Sequence, residues 1–172
     1  MSKPPLILTL SIEKEAELLF NSLRRKYFPP SLNLINAHLT LFHALPDNAE
    51  IKTEIEQLCE TQHPFKLSVK EVVSIGKGVA YKIESKELQK LHKTLKNKWL
   101  SFLSRQDSQT LWPHITVQNK VTATEAGQVL NELKKGFTPF STSATGLQLW
   151  KYLNGPWELS SGHVFKGVHS NN

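Results

Sequence analysis

The sequence predicts an α+β fold in which one unit is used twice. Three observations predict it. The tetrapeptide His38-Leu39-Thr40-Leu41 returns 76 residues later as His114-Ile115-Thr116-Val117. Each copy leads into a loop, an amphipathic helix and a strand that opens on phenylalanine; Phe65 lies 27 residues after His38 and Phe140 lies 26 after His114. Each of those strands turns at glycine into another, and Ile83 and Leu159 both stand 45 residues beyond their histidine. A strand, helix, strand, turn, strand unit therefore runs over about 37–84 and again over 112–165 within one domain, 1–172. A duplicated unit packs with approximate two-fold symmetry, so the two motifs are expected to face one another across a central cleft.

The elements follow in order. Leu6 to Leu10 is apolar on both faces, as in a central strand. Ser11 is a candidate cap for a helix over residues 12–28, whose stripe of Ile12, Ala16, Leu19, Phe20 and Leu23 ends before Pro29-Pro30. Residues 37–43 alternate, with His38, Thr40 and Phe42 on one face and Leu39, Leu41 and His43 on the other. Asp47 or Asn48 starts a helix through Ile51, Ile55, Leu58 and Cys59. Phe65, Leu67 and Val69 alternate as a strand, Gly76-Lys77-Gly78 signals a turn, and Val79 to Ile83 returns. Leu88, Leu91, Leu95, Trp99 and Phe102 or Leu103 mark a helix whose other face carries Lys86, Lys90, Lys93, Lys96 and Lys98, a solvated face. Trp112 to Val117 is a strand. Thr122 or Thr124 opens a helix that stops at Gly136. Strands follow over Phe140 to Trp150 and Trp157 to Phe165, and residues 169–172 read as a frayed tail.

Composition bounds the function. The 172 residues, 39% hydrophobic and 21% charged, suit one globular domain or two small lobes sharing a core. The net charge of +6 favours phosphate-bearing partners without encoding any sequence preference. One cysteine, Cys59, excludes an intramolecular disulfide and a cysteine-based zinc cluster. It points to a reducing, cytoplasmic setting. The N-terminal apolar run is too short for a signal segment or a membrane span. No GxxxxGK[ST] loop serves ATP, and no His-Glu-x-x-His signature or flanking carboxylate suits a metal.

The repeated motif carries the chemistry. Residues i and i+2 of a strand share a face, so His38 neighbours Thr40 and His114 neighbours Thr116. Facing each other, the two strands offer two imidazoles and two hydroxyls around one pocket. Cleaving a phosphodiester needs a base for the attacking oxygen and an acid for the leaving one, and imidazole supplies either near neutrality. Threonine hydroxyls can hold the non-bridging oxygens. No metal and no cofactor is expected. A single strand histidine would more simply be structural; the pair, each with threonine at i+2 in repeated context, favours catalysis.

With both motifs in view, the sequence resembles the two-histidine phosphoesterase superfamily, in the branch of RNA 2′,5′-ligase-like proteins and cyclic phosphodiesterases. The likeness rests on His38-Leu39-Thr40-Leu41, Pro113-His114-Ile115-Thr116-Val117, Gly76-Lys77-Gly78-Val79-Ala80-Tyr81, Trp150-Lys151-Tyr152 and Gly155-Pro156-Trp157-Glu158. It implies a bilobal fold, with a mostly antiparallel sheet from each lobe lining the cleft and helices outside. It implies hydrolysis of 2′,3′-cyclic phosphates at RNA ends or in cyclic nucleotides, or cleavage of 2′,5′ linkages, without a metal. His38 is read as acid and His114 as base, an order the sequence leaves open. Where many relatives carry an arginine after the second motif, this chain reads Gln118-Asn119-Lys120, so Lys120 is the candidate stand-in. Phe42 is a candidate for stacking on a base and equally for the core. Tyr152 and the turn residue Lys77 are further candidate substrate contacts beside their bland readings as core and solvated turn. His43 is read as structural. The expected partner is an RNA end or small cyclic nucleotide, with no membrane and a monomeric protein. Two alternatives stand beside this reading: a module that binds a nucleotide or RNA end without turnover, and a reversible RNA 2′,5′-ligase.

Overall fold

In the computed structural model, which describes residues 3–168, seven strands and four helices alternate along the chain. They are β1 (Leu6–Ile12), α1 (Lys14–Tyr27), β2 (Leu39–Leu45), α2 (Ala49–Thr61), β3 (Phe65–Ser74), β4 (Val79–Glu84), α3 (Lys86–Lys98), β5 (His114–Gln118), α4 (Ala123–Lys135), β6 (Phe140–Tyr152) and β7 (Trp157–Val164). The tail at 169–172, with His169, lies outside the described residues. The fold class is the expected α+β one. All strand pairs are antiparallel, in one curled half-barrel sheet of order β2-β1-β6-β3-β4-β5, with β7 added on β6.

The long strand β6 joins the halves. Ala144 pairs with Ile12 of β1 on one side and with Phe65 of β3 on the other. Beyond Ala144, residues 146–152 of β6 take β7 as their second neighbour. The element order β-α-β-β runs twice, but the halves of the sheet are not the two sequence repeats. The first motif strand, β2, reaches through β1 to the second repeat's hairpin, β6-β7. The second motif strand, β5, pairs with the first repeat's hairpin, β3-β4. The helices follow: α2 packs on β6 and β7, and α4 packs on β3 and β4.

This exchange separates residues that are equivalent by spacing. Ile83 lies in β4 between β3 and β5 and is 1% exposed, whereas Leu159 lies in β7 on the outer side of β6 and is 51% exposed. In one half β4 lies between β3 and the motif strand β5; in the other β1 lies between β6 and the motif strand β2. That role explains why Leu6 to Leu10 is buried on both faces.

Local chemistry sets most boundaries. Asn48 caps α2, its side chain accepting from the Ile51 amide at 2.9 Å. Thr122 and Glu125 form a reciprocal capping box on α4. Ser11 does not cap α1. Pairing with β6 carries β1 on through Ile12, and Glu13 stands at the N-cap without a side-chain cap bond. The lysine-faced helix α3 ends at Lys98 rather than at Phe102 or Leu103. Trp99 folds inward at its end, fully buried, with its indole N–H donating to Glu54.

Candidate active site

The two motif strands are the two ends of the sheet order, and curling brings β2 and β5 into contact. Leu39 and Leu41 on β2, and Ile115 and Val117 on β5, are buried in the core. The residues between and before them, His38, Thr40, His114 and Thr116, are half-buried. Apolar alternation therefore turns both His-x-Thr pairs toward one junction.

The two histidines are held alike. His38 Nδ1 lies 2.8 Å from the backbone oxygen of Asn36, and His114 Nδ1 lies 2.8 Å from that of Trp112. A carbonyl oxygen only accepts, so each Nδ1 carries the proton and donates it. Each Nε2 is then the atom left for chemistry, without a hydrogen-bond partner among the described residues. Each ring also rests on a tryptophan. The His38 ring is 4.6 Å from that of Trp157, and the His114 ring stacks on Trp112 at 4.3 Å.

Electrostatics separate the pair. Burial is the main cause that pushes His38 down to about 4; the Asn36 carbonyl opposes it, and the charges of Arg24, His114 and His43 add to it. His114 is also held below the ordinary imidazole value by burial, with the Trp112 carbonyl opposing and His43 adding.

Helix α1 ties the two motifs together. Arg24, buried and lowered by burial to about 10, donates from Nε to Asn33 Oδ1 at 2.7 Å and from Nη1 to the Thr116 oxygen at 3.1 Å. Asn21, one turn earlier, accepts the Ala37 amide at 2.7 Å beside the first motif. One helix thus holds the approach to His38 and the backbone of Thr116.

A cleft of about 660 Å³ opens on the His38 side, a volume suited to a nucleotide-sized ligand. Its wall carries Thr9, Ser11, Asn33, Asn36, Thr145 and Gln148, with Trp150, Trp157 and the carboxylate of Glu17. The Trp150 indole N–H donates to Thr9 Oγ1 at 2.9 Å. Among the described residues no group of three or more His, Cys, Asp or Glu could hold a metal ion, and no helix is long and apolar enough to cross a membrane.

The candidate substrate contacts fall elsewhere. Phe42 is 0% exposed, stacked on His92 at 4.6 Å and edge-on to Trp99 at 5.2 Å. It is a core residue and offers no face to a base. The physical reason is a β-bulge. Thr9 pairs with Thr40 but Leu8 pairs with Phe42, so β2 gains a residue and the alternation shifts. Leu41 and Phe42 are buried in succession, and His43 emerges on the face of Thr40. Lys77 and Lys120 are exposed in loops beyond the ends of β3 and β5, and Tyr152 is exposed at the end of β6. None of the three lines the cleft.

Arg24, Asn21 and Trp112 are the neighbours the sequence did not single out; Trp157 entered only as part of the Gly155-Pro156-Trp157-Glu158 segment and His43 only as a structural residue. Of the first three, only Trp112 carried a local signal, standing two residues before His114. Arg24 sits in a run with Arg25 and Lys26 that nothing in the sequence distinguishes.

The family model described as the 2′-5′ RNA ligase superfamily matches residues 11–156. No curated protein sequence matches the chain. Among solved structures, TT0787 of Thermus thermophilus superposes with a TM-score of 0.65 at 16% identity, over 96% of this chain and 100% of that one. E. coli LigT complexed with NADP+ gives 0.59 at 19% identity, over 95% and 99%. LigT complexed with ATP gives 0.57 at 20%, over 96% and 99%. Identities this low establish the shared fold alone.

Proposed function

The chain belongs to the 2′-5′ RNA ligase superfamily, and from that premise we propose that it is a metal-independent phosphodiesterase acting on 2′,3′-cyclic phosphates of RNA ends or nucleotides, or on 2′,5′ linkages. The superfamily supports phosphoesterase-type chemistry; substrate and direction are our reading. The observation that carries it is the matched pair of imidazoles, each locked through Nδ1 to a backbone oxygen two residues back, each leaving Nε2 for proton transfer. LigT structures with ATP and 3′-AMP support a nucleotide as the ligand class.

The roles follow from the environments of the two rings. Burial first, and the Arg24 cation in addition, favours a neutral ring at His38. We therefore assign His38 as base and His114 as acid, reversing the order read from the sequence. His38 Nε2 takes a proton from water, and the water oxygen bonds to phosphorus. The bond from phosphorus to O3′ breaks, and O3′ takes the proton from His114 Nε2, leaving a 2′-phosphate. Thr40 and Thr116 donate to the non-bridging oxygens as charge builds on them. The two repeats act as one domain, since neither alone holds both imidazoles. Buried Cys59 suits a reducing cytoplasm, and the reading needs one copy of the chain.

The test is turnover of 2′,3′-cyclic AMP and a 2′,3′-cyclic-ended oligoribonucleotide in EDTA. His38→Ala and His114→Ala are each expected to lower kcat/KM by about 10²-fold or more. Full activity in either variant overturns the assignment.

A further inference from the structure

The charge in the cleft does not suit a phosphate. Among the described residues that line it, Glu17 and His38 alone have ionisable side chains, and no lysine or arginine stands there. A phosphate deep in the cleft would meet a carboxylate and no cation. The reacting phosphate therefore belongs at the junction of the motifs, and the rest of a nucleotide extends into the cleft.

Helix α1 fixes where that carboxylate stands. Glu17, Asn21 and Arg24 are spaced i, i+4 and i+7, along one stripe of the helix. Arg24 holds the Thr116 oxygen at 3.1 Å, and Asn21 holds the Ala37 amide at 2.7 Å beside His38. Glu17 stands one further turn along the axis, about 6 Å beyond Asn21. That step leads away from the reacting centre on the scale of one nucleoside. The carboxylate accepts no hydrogen bond among the described residues. Its pair with Lys14, at 3.9 Å, joins side chains 39% and 75% exposed, and such a surface pair is weak. The helix dipole favours a carboxylate in the first turn, but Glu15 serves that purpose from outside the cleft.

An ionised carboxylate only accepts, through two oxygens side by side. Of the four RNA bases, guanine alone sets two N–H donors side by side on its Watson–Crick edge, at N1 and N2. Adenine and cytosine place a ring-nitrogen acceptor beside the amino group, and uracil places its single N–H between two carbonyls. Facing those edges, a carboxylate gains at most one bond and meets a lone pair. The cleft also carries donors for the guanine O6, in the hydroxyls of Ser11 and Thr145 and the amide of Gln148. Trp150 and Trp157 add aromatic rings on which a base can stack.

We propose that Glu17 reads the base of the substrate and selects guanine, so that the preferred substrate carries its reacting phosphate on a guanosine. The proposal rests on the nucleotide-directed phosphodiesterase reading above.

Isothermal titration of the full chain with nucleoside 2′-monophosphates, the products of that reaction, tests it without requiring turnover. The probes carry guanine, hypoxanthine, adenine, cytosine or uracil. Wild type is expected to bind the guanine probe about tenfold or more tightly than the adenine, cytosine and uracil probes, the scale of a hydrogen bond to a charged group. Hypoxanthine lacks the N2 amino group and keeps one donor, so its affinity is expected to fall between those of guanine and adenine. In Glu17→Gln the side chain keeps its shape but sets an NH2 group against one of the two donors. The ratio of guanine to adenine affinity is expected to fall to within twofold of one. Equal wild-type affinities, a preference for another base, or hypoxanthine bound as tightly as guanine overturns the proposal without any variant. A guanine preference unchanged in folded Glu17→Gln overturns it as well. If cyclic phosphates are turned over while all bases bind alike, only this proposal falls. If no nucleotide binds and none is turned over, the phosphodiesterase reading falls with it.

Discussion

His38 is a residue whose protonation the protein works against. Its folded value near 4 lies below the ordinary 6.5, so the unfolded chain binds the proton more readily. The stability linked to the neutral ring is fully present above about pH 6.5 and is lost as pH falls toward 4. His38→Gln is therefore expected to flatten the fall in melting temperature between pH 6.5 and 4. His114 and His92, also lowered by burial, keep part of the slope. An equally steep fall in the variant would remove His38 from the account. The same shifts shape the activity profile. The free enzyme needs His38 neutral and His114 protonated, so kcat/KM is expected to rise through about pH 4 and to decline already below the ordinary imidazole value, because burial lowers His114 too. A maximum near pH 8 would contradict the assigned roles.

At the scale of elements, α1 matters more than its sequence suggests. Asn21 and Arg24 sit one turn apart; Asn21 holds the segment just before β2 at Ala37, and Arg24 holds the backbone of β5 at Thr116. Arg24→Met keeps much of the packing volume but loses both hydrogen bonds and the charge. Loosening the hold on Thr116 is expected to lower kcat roughly tenfold or more while the protein stays folded, since small displacements at a reacting centre are costly. Steady-state kinetics beside a thermal melt separate this from simple destabilisation. The elements were largely legible beforehand, because caps and apolar stripes announce helices and alternation announces strands. The motif residues were legible for the same reason, as a repeated pattern on strands. Phe42 was misread because a bulge changes the alternation and leaves no signature in composition. The helix contacts of Arg24 and the loop contact of Asp107 were hidden because each partner is distant in sequence, Thr116 by 92 residues and His43 by 64.

At the scale of the molecule, the sequence repeats and the halves of the sheet are different divisions of the same chain. Duplication predicts the cleft, but spacing alone does not show which hairpin meets which motif strand. The exchange has a consequence for folding. A fragment ending in the loop after α3 contains β3-β4 without β5, and β2 and β1 without β6. Fragments 1–104 and 105–172 are each expected to lack a cooperative melt, and to regain it when mixed, as followed by circular dichroism. Independent folding of either would contradict the exchanged arrangement. The central position of β1 sets a related expectation: Leu8→Ala, which opens a cavity in a fully buried strand, should cost about 2–5 kcal/mol in denaturant unfolding.

The measurement closest to the central claim is the single-turnover assay on a 2′,3′-cyclic-ended oligoribonucleotide in EDTA, run with wild type, His38→Ala and His114→Ala. The account predicts a 2′-phosphate product from wild type, undiminished by the chelator, and loss of at least two orders of magnitude in each variant. Activity abolished by EDTA, or surviving at wild-type rate in either histidine variant, would contradict it.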